Sequence, residues 1–116
     1  MIEGDELIGR VAIQRKLRFL LEMFGGKEEA AEALGASRSQ IARWIQSSTP
    51  DRKMAAKIEN LDFFSRMILD GGRHPRELRR YFDAARKDGR LKTLSGRRIS
   101  EMLEDFRKFS EKAVSA

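Results

Sequence analysis

The 116-residue chain has no cysteine, one histidine and two prolines, and it lacks any long apolar run. Without cysteine it forms neither a disulfide framework nor a cysteine-based zinc site, and one histidine cannot supply a histidine cluster around a metal. No apolar segment approaches the roughly 20 residues that cross a bilayer. The acidic N-terminus has the wrong charge for a secretory signal. We therefore expect a cytoplasmic protein that uses no metal or cofactor and contacts no membrane.

The chain is instead rich in charge, most of it basic. Charged residues make up 36% of the chain and hydrophobic residues 41%, and 24 lysines and arginines against 18 acids give a net charge of +6. This balance is typical of a small domain whose basic surface binds a polyanion. The sequence contains no nucleophile–base pair and no metal-ligand constellation. We therefore expect neither enzymatic activity nor a small-molecule substrate.

Between glycine, proline and serine turn signals, the apolar residues recur at three- and four-residue spacing, which predicts an all-α fold. The six helices are expected at about 5–24, 27–34, 38–46, 50–70, 75–87 and 98–112. For the fourth helix, the sequence predicts Thr49 as the N-cap and Pro50 as the first helical residue. The segment 88–97 carries no helical stripe and is expected to be a basic loop or a small β-hairpin.

The most informative stretch is residues 26–46, GKEEAAEALGASRSQIARWIQ, where two short helical segments are joined by a tight turn. Ala31 is a small residue at the point where the two segments would touch. Gly35 tolerates the positive φ that the turn requires. Ile41 and Trp44, one helical turn apart, can pack back from the second segment. Together these positions meet the steric needs of two short helices that cross steeply.

This spacing resembles the helix-turn-helix family of DNA-binding proteins, most closely the phage-repressor-like (lambda-repressor-like) class. The resemblance covers residues 27–46 and implies that residues 1–70 form a DNA-binding domain. It also implies that the segment beginning at Ser37, which can cap its own helix, is a recognition helix that lies in the major groove. Residues 71–116 would then be a basic helical extension, used as a second DNA contact or for dimerisation.

Residue directions on the recognition helix assign individual roles. Arginine pairs with guanine and glutamine with adenine through two hydrogen bonds each. The residues expected to read bases are Arg38, Ser39, Ala42, Arg43 and Gln46. The residues expected to contact phosphates are Lys27, Ser37, Gln40, Arg52 and Lys53. The alternative is that this surface is an ordinary solvated helix face.

Most of the net positive charge lies outside the helix-turn-helix. Residues 1–60 contain ten basic and nine acidic residues, whereas residues 61–116 contain fourteen and nine. The charge peaks over residues 73–98, where basic side chains could lie along phosphates or enter a minor groove. The candidate second DNA contact comprises Arg90, Lys92, Arg97 and Arg98. A solvated face with a basic loop accounts for these residues equally well.

The sequence therefore predicts sequence-specific binding of double-stranded DNA by a nucleoid-associated transcriptional regulator or repressor of phage, plasmid or antitoxin type. The alternative is a protein-interaction adaptor, such as an antitoxin or a phage assembly subunit, that uses the helix-turn-helix as a scaffold. A homodimer on a palindromic site and a monomer on an asymmetric site are both compatible with the sequence. Surplus aromatic residues of the second half could form the dimer patch; the candidates are Phe63, Phe64, Tyr81, Phe82, Phe106 and Phe109.

Overall fold

The computed structural model describes the backbone of residues 2–115 and the side chains of residues 9–113. Seven helices and no strand occur in this part of the chain, so the all-α prediction is confirmed. In chain order they are α1 (Ile2–Phe24), α2 (Lys27–Leu34), α3 (Arg38–Gln46), α4 (Arg52–Asp70), α5 (Pro75–Lys87), α6 (Leu91–Leu94) and α7 (Ile99–Ser115). Within the same residues, no helix is both long enough and apolar enough to cross a bilayer.

The starts of α4 and α5 follow from their capping residues. The Asp51 Oδ1 atom accepts a hydrogen bond from the Met54 N–H at 2.8 Å, so α4 begins after Asp51. The expectation that Thr49 caps this helix and Pro50 opens it is therefore wrong, because the Asp51 carboxylate takes the capping role. At α5 the expected arrangement is confirmed: Pro75 is the first helical residue, and the His74 Nδ1 atom accepts the Arg76 N–H at 3.0 Å.

Residues 88–97 contain the single helical turn α6, so the small β-hairpin, one of the two alternatives expected there, is wrong. Leu91 is fully buried and Leu94 is partly buried, and their three-residue spacing places both on the core side of one turn. The chain beyond α6 is held by Asn60, whose side-chain amide donates to the carbonyls of Ser95 and Arg97 at 3.1 and 3.2 Å. These bonds satisfy backbone groups without a paired strand.

One hydrophobic core joins the two expected parts of the chain, residues 1–70 and 71–116. Helices α1 and α4 pack side by side, and α5 packs on both. The rings of Phe64, Tyr81 and Phe106 lie 5.3 to 6.0 Å apart between centroids, which links α4, α5 and α7. Pairs of aromatic rings at these separations stabilise a core beyond the area that they bury.

Two apolar side chains on the outer face of α4 are left exposed. Phe63 is 56% exposed and Met67, four residues later, is 40% exposed. Five of the six candidate aromatic residues of the second half are buried or partly buried, which leaves Phe63 as the surplus one. The helical spacing agrees with this difference, because Phe64 lies three residues after Leu61 and four before Ile68 on the buried stripe, whereas Phe63 lies off it.

Candidate functional site

The turn between α2 and α3 has the geometry that its sequence predicts. Gly35 adopts φ 75° and ψ 36°, in the left-handed region, and ends α2. The N–H groups of Gly35 and Ala36 both donate to the Ala31 carbonyl, at 2.8 and 2.9 Å. Ile41 is fully buried, and Trp44 is 8% exposed. The two short helices therefore pack through the residues that the sequence selects for that purpose.

Ser37 and Gln40 fix the first turn of α3 through a reciprocal pair of hydrogen bonds. The Ser37 Oγ atom accepts the Gln40 N–H at 3.1 Å, and the Gln40 Oε1 atom accepts the Ser37 N–H at 2.9 Å. The role of Ser37 is the one expected, whereas that of Gln40 was missed. Serine followed three residues later by glutamine is the sequence signal that would have identified it. The Gln40 carboxamide NH₂ group and the Ser37 hydroxyl proton are still able to donate to a ligand.

The outer face of α3 presents exposed polar side chains to solvent. Ser39, Arg43 and Gln46 are exposed along this face, and Arg38 is exposed at its start, whereas Ala42 is half-buried at its edge. Arg43 forms no ion pair with any residue that the structure describes. Its guanidinium therefore keeps all of its hydrogen-bond donors for a ligand.

Arg38 has an acidic neighbour that sequence reasoning missed. Its Nη1 atom lies 3.8 Å from the Glu28 Oε1 atom on the first turn of α2, and both side chains are about two-thirds exposed or more, at 68% and 71%. An ion pair this exposed contributes about 0–1 kcal/mol, so a guanine or a phosphate can replace the carboxylate at little cost. Glu28 also places a negative charge beside the expected reading face.

The expected phosphate contacts at the helix starts are accessible. Lys27 lies at the first residue of α2, and Arg52 and Lys53 open α4. All three are exposed, and none forms an ion pair with a described residue. They therefore supply positive charge that no carboxylate in the described part of the chain neutralises.

Arg90 lies in a network that joins α5 to α7. Its Nε atom donates to the Asp105 Oδ2 atom at 3.1 Å, and its guanidinium also pairs with Asp88. The Tyr81 hydroxyl donates to the same Asp105 oxygen at 2.7 Å. Burial, together with this bond to a carboxylate, raises the pKa of Tyr81 well above its ordinary value. The Arg90 guanidinium is thus occupied by two carboxylates.

The other three candidate residues of this segment are more accessible. Lys92 and Arg98 are exposed and form no ion pair with the described residues. Arg97 is exposed, and its Nη1 atom lies 3.9 Å from the Oε1 atom of Glu101, four residues later in α7. Of the four basic side chains singled out between residues 88 and 98, Arg90 is the one whose surroundings favour a structural role.

Helix α6 lies beside the α2–α3 turn. A Cβ atom placed on Gly35 would meet the Lys92 Cβ atom at 3.7 Å and the Lys57 Nζ atom at 3.9 Å. The Lys57 ammonium donates to the Leu34 carbonyl at 3.2 Å, where the last carbonyls of α2 carry partial negative charge. Two lysines from separate helices therefore flank the turn.

The start of α3 and the end of α5 border the same exposed face of α2. Glu28, Glu32 and Gly35 occupy this face at four- and three-residue spacing. Glu28 pairs with Arg38, and Glu32 pairs with Arg86 of α5 at 2.8 Å. Since Gly35 also lies beside Lys92 of α6, the basic second half of the chain adjoins this face at Glu32 and Gly35, whereas Glu28 faces α3.

Comparison with protein-family models, with curated proteins and with solved structures finds no match to this chain. Within the described residues, no group of three or more histidine, cysteine, aspartate or glutamate side chains could hold a metal ion.

Proposed function

We propose that the chain binds double-stranded DNA in a sequence-specific manner through α2 and α3, as a non-enzymatic, nucleoid-associated regulator of transcription. The observation that carries this proposal is the left-handed Gly35 turn between two short helices. Its apolar side is buried at Ile41 and Trp44, and its outer side presents Arg43, which forms no ion pair with a described residue. A helix presented in this way fits a major groove.

In this proposal α3 lies in the major groove and reads base edges from its outer face. Arg43 donates two hydrogen bonds to guanine, and Gln46 pairs with adenine in the same bidentate manner. Ser39 is short enough to let the helix approach, and the Ala42 methyl group contacts a thymine methyl group. Arg38 also contacts a base once its guanidinium separates from the Glu28 carboxylate.

Phosphate contacts from the surrounding helix starts hold α3 in register. Lys27 acts at the start of α2, the Ser37 hydroxyl at the start of α3, and Arg52 and Lys53 at the start of α4. The Gln40 carboxamide NH₂ group adds a donor at the edge. Such contacts raise affinity and salt dependence on every sequence, without selecting among sequences. Lys92, Arg97 and Arg98 are the second-half residues proposed to add to them.

The test is selection of bound sequences from random duplex DNA, followed by measurement of Arg43→Ala. The substitution should weaken binding to the preferred sequence by about 1–3 kcal/mol and leave binding to random duplex nearly unchanged. Lys112→Ala, which removes an exposed charge from α7, is the matched control and should affect neither. Equal losses of Arg43→Ala on all sequences would contradict base reading, and a selection that enriches no motif would favour the adaptor.

The exposed pair Phe63 and Met67 favours a contact between protein chains. We propose that a second copy of the chain covers this pair in a homodimer. Their four-residue spacing places both side chains on one stripe of α4. Sedimentation equilibrium of the wild type and of Phe63→Gln tests this. The wild type should self-associate more tightly than the variant, and a wild type that is monomeric at every concentration would overturn the proposal.

A further inference from the structure

Three arginines on α5 form a surface that the helix-turn-helix does not account for. Arg76, Arg79 and Arg80 are exposed and line an open groove between α5 and the end of α1. None of their guanidinium groups pairs with a carboxylate in the described part of the chain. Most other arginines after residue 60 do form ion pairs there, namely Arg66, Arg73, Arg86, Arg90, Arg97 and Arg107.

The local electrostatics of α5 disfavour this cluster. Arg76 lies in the first turn, where the positive end of the helix dipole repels a cation. Arg76 and Arg80, four residues apart, are neighbours of like charge. Two carboxylates line the same groove. Asp83 pairs with Arg86 at 2.6 Å and with Lys87 at 3.0 Å, and Glu22 at the end of α1 forms no ion pair with a described residue. An anion from outside the chain would relieve this repulsion.

The ionisation of Asp83 is consistent with its pairing to Arg86 and Lys87 and not to Arg76, Arg79 or Arg80. Hydrogen bonds from Lys87 and then from Arg86 hold the pKa of the Asp83 carboxyl below its ordinary value. Asp83 therefore stays ionised and committed to these two partners. The three guanidinium groups of Arg76, Arg79 and Arg80 therefore form no ion pair with a described carboxylate, although Glu22 lines the same groove.

The groove continues toward the start of α2. Its opposite wall includes Gly25, and the next groove along the chain is lined by Lys27, two glutamates and Arg38. Only Gly26 separates Gly25 from Lys27, and a Cβ atom on Gly25 would meet nothing within 4 Å. Positive side chains therefore border both sides of an uncovered turn. A duplex whose major groove holds α3 would have a phosphate strand crossing the start of α2.

We infer that Arg76, Arg79 and Arg80 are a second phosphate-contacting surface, which binds the strand that crosses the start of α2. This inference rests on the proposed DNA-binding function and extends it to residues outside the helix-turn-helix. The ligand is a run of neighbouring backbone phosphates, so these arginines add affinity that is independent of base sequence and sensitive to salt.

The test compares salt-titrated binding of three double variants to the selected duplex and to a random duplex. Arg79→Ala with Arg80→Ala should weaken binding to both duplexes by the same factor and make the slope of log affinity against log salt shallower by about 2. Arg79→Lys with Arg80→Lys keeps both charges and should preserve the slope. Lys108→Ala with Lys112→Ala removes two exposed charges from α7 and should change neither quantity.

The outcomes separate this inference from the proposed function. If the Arg79 and Arg80 alanine variant keeps the wild-type slope while Arg43→Ala still weakens binding to the selected duplex alone, the inference is overturned and the proposed function stands. A loss confined to the selected duplex would also overturn it, since base readers behave in that way. Wild-type protein that binds no duplex overturns both. The fluorescence of Trp44, the only tryptophan, verifies that each variant is folded.

Discussion

The helix-turn-helix and the second half of the chain both carry basic residues, but two arginines of the second half are held by carboxylates in a way that no arginine of α3 is. On α3, Arg43 forms no ion pair with described residues, and Arg38 holds only an exposed one. In the second half, Arg86 and Arg90 are each bound by two carboxylates. A count of formal charge therefore overstates how much of the second half is available to a polyanion.

The paired arginines of the second half connect helices instead. The Arg86 side chain is 13% exposed and bridges Glu32 of α2 and Asp83 of its own helix. Arg90 ties α6 to α7 through Asp105. Removing the charge of Arg86 or Arg90 should therefore lower the free energy of unfolding. Removing a charge from α3 should instead lower the affinity for DNA.

The largest effect is expected for Asp105→Ala, which tests whether Arg90 stabilises the fold. The substitution leaves the buried Tyr81 hydroxyl without its acceptor and Arg90 without one carboxylate, so the free energy of unfolding should fall by about 2–3 kcal/mol. Urea denaturation followed by Trp44 fluorescence measures it. Glu104→Ala, which breaks a surface pair with Arg107, is the control and should cost far less. Equal costs of the two substitutions would contradict the assigned role of Arg90.

A second prediction concerns the turn that presents α3. Gly35→Ala should destabilise the fold by about 1–2 kcal/mol, because the left-handed conformation is less favourable by this amount for a residue with a Cβ atom. The nearest atom to the new methyl group would be at 3.7 Å, an ordinary contact, so no clash adds to the cost. Gly9→Ala inside α1 is the matched control and should stabilise the protein by about 0.5–1 kcal/mol, since its φ is helical. A neutral Gly35→Ala would show that the turn adopts another conformation.

The turn also shows why the sequence predicted one region better than the other. The bounds of α2 and α3 follow from neighbouring residues, because Gly35 ends one helix and Ser37 caps the next. By contrast, the pair between Arg86 and Glu32 spans 54 positions, and no local signal indicates it. Asn60 likewise holds the chain after α6 from 35 positions away. The sequence locates the basic residues, but only the packing determines which of them are neutralised.

A pH titration distinguishes the two regions through the only tyrosine, Tyr81, and the only tryptophan, Trp44. The raised pKa of Tyr81 means that the folded state keeps its proton above pH 10.0, where the unfolded chain loses it. Its contribution to stability is full below that pH and declines above it by about 1.4 kcal/mol per pH unit. Tyrosinate absorbance should therefore rise only as the protein unfolds, together with the change in Trp44 fluorescence. Tyrosinate that forms before the fluorescence changes would contradict the burial, and Tyr81→Phe should weaken the pH dependence.

The smallest effect is expected at the boundary between the two regions, for Glu28→Gln. Glu28 competes with DNA for the Arg38 guanidinium and repels phosphates near Lys27, so its neutralisation should raise affinity for every duplex by about 0.2–1 kcal/mol. Glu59→Gln, which breaks a similar exposed pair with Lys16, is the matched control and should leave affinity unchanged. A gain confined to the preferred sequence would mean that Glu28 restrains base reading alone. A loss of affinity would mean that Glu28 positions Arg38 for binding, and Arg38 would then belong with the paired arginines of the second half.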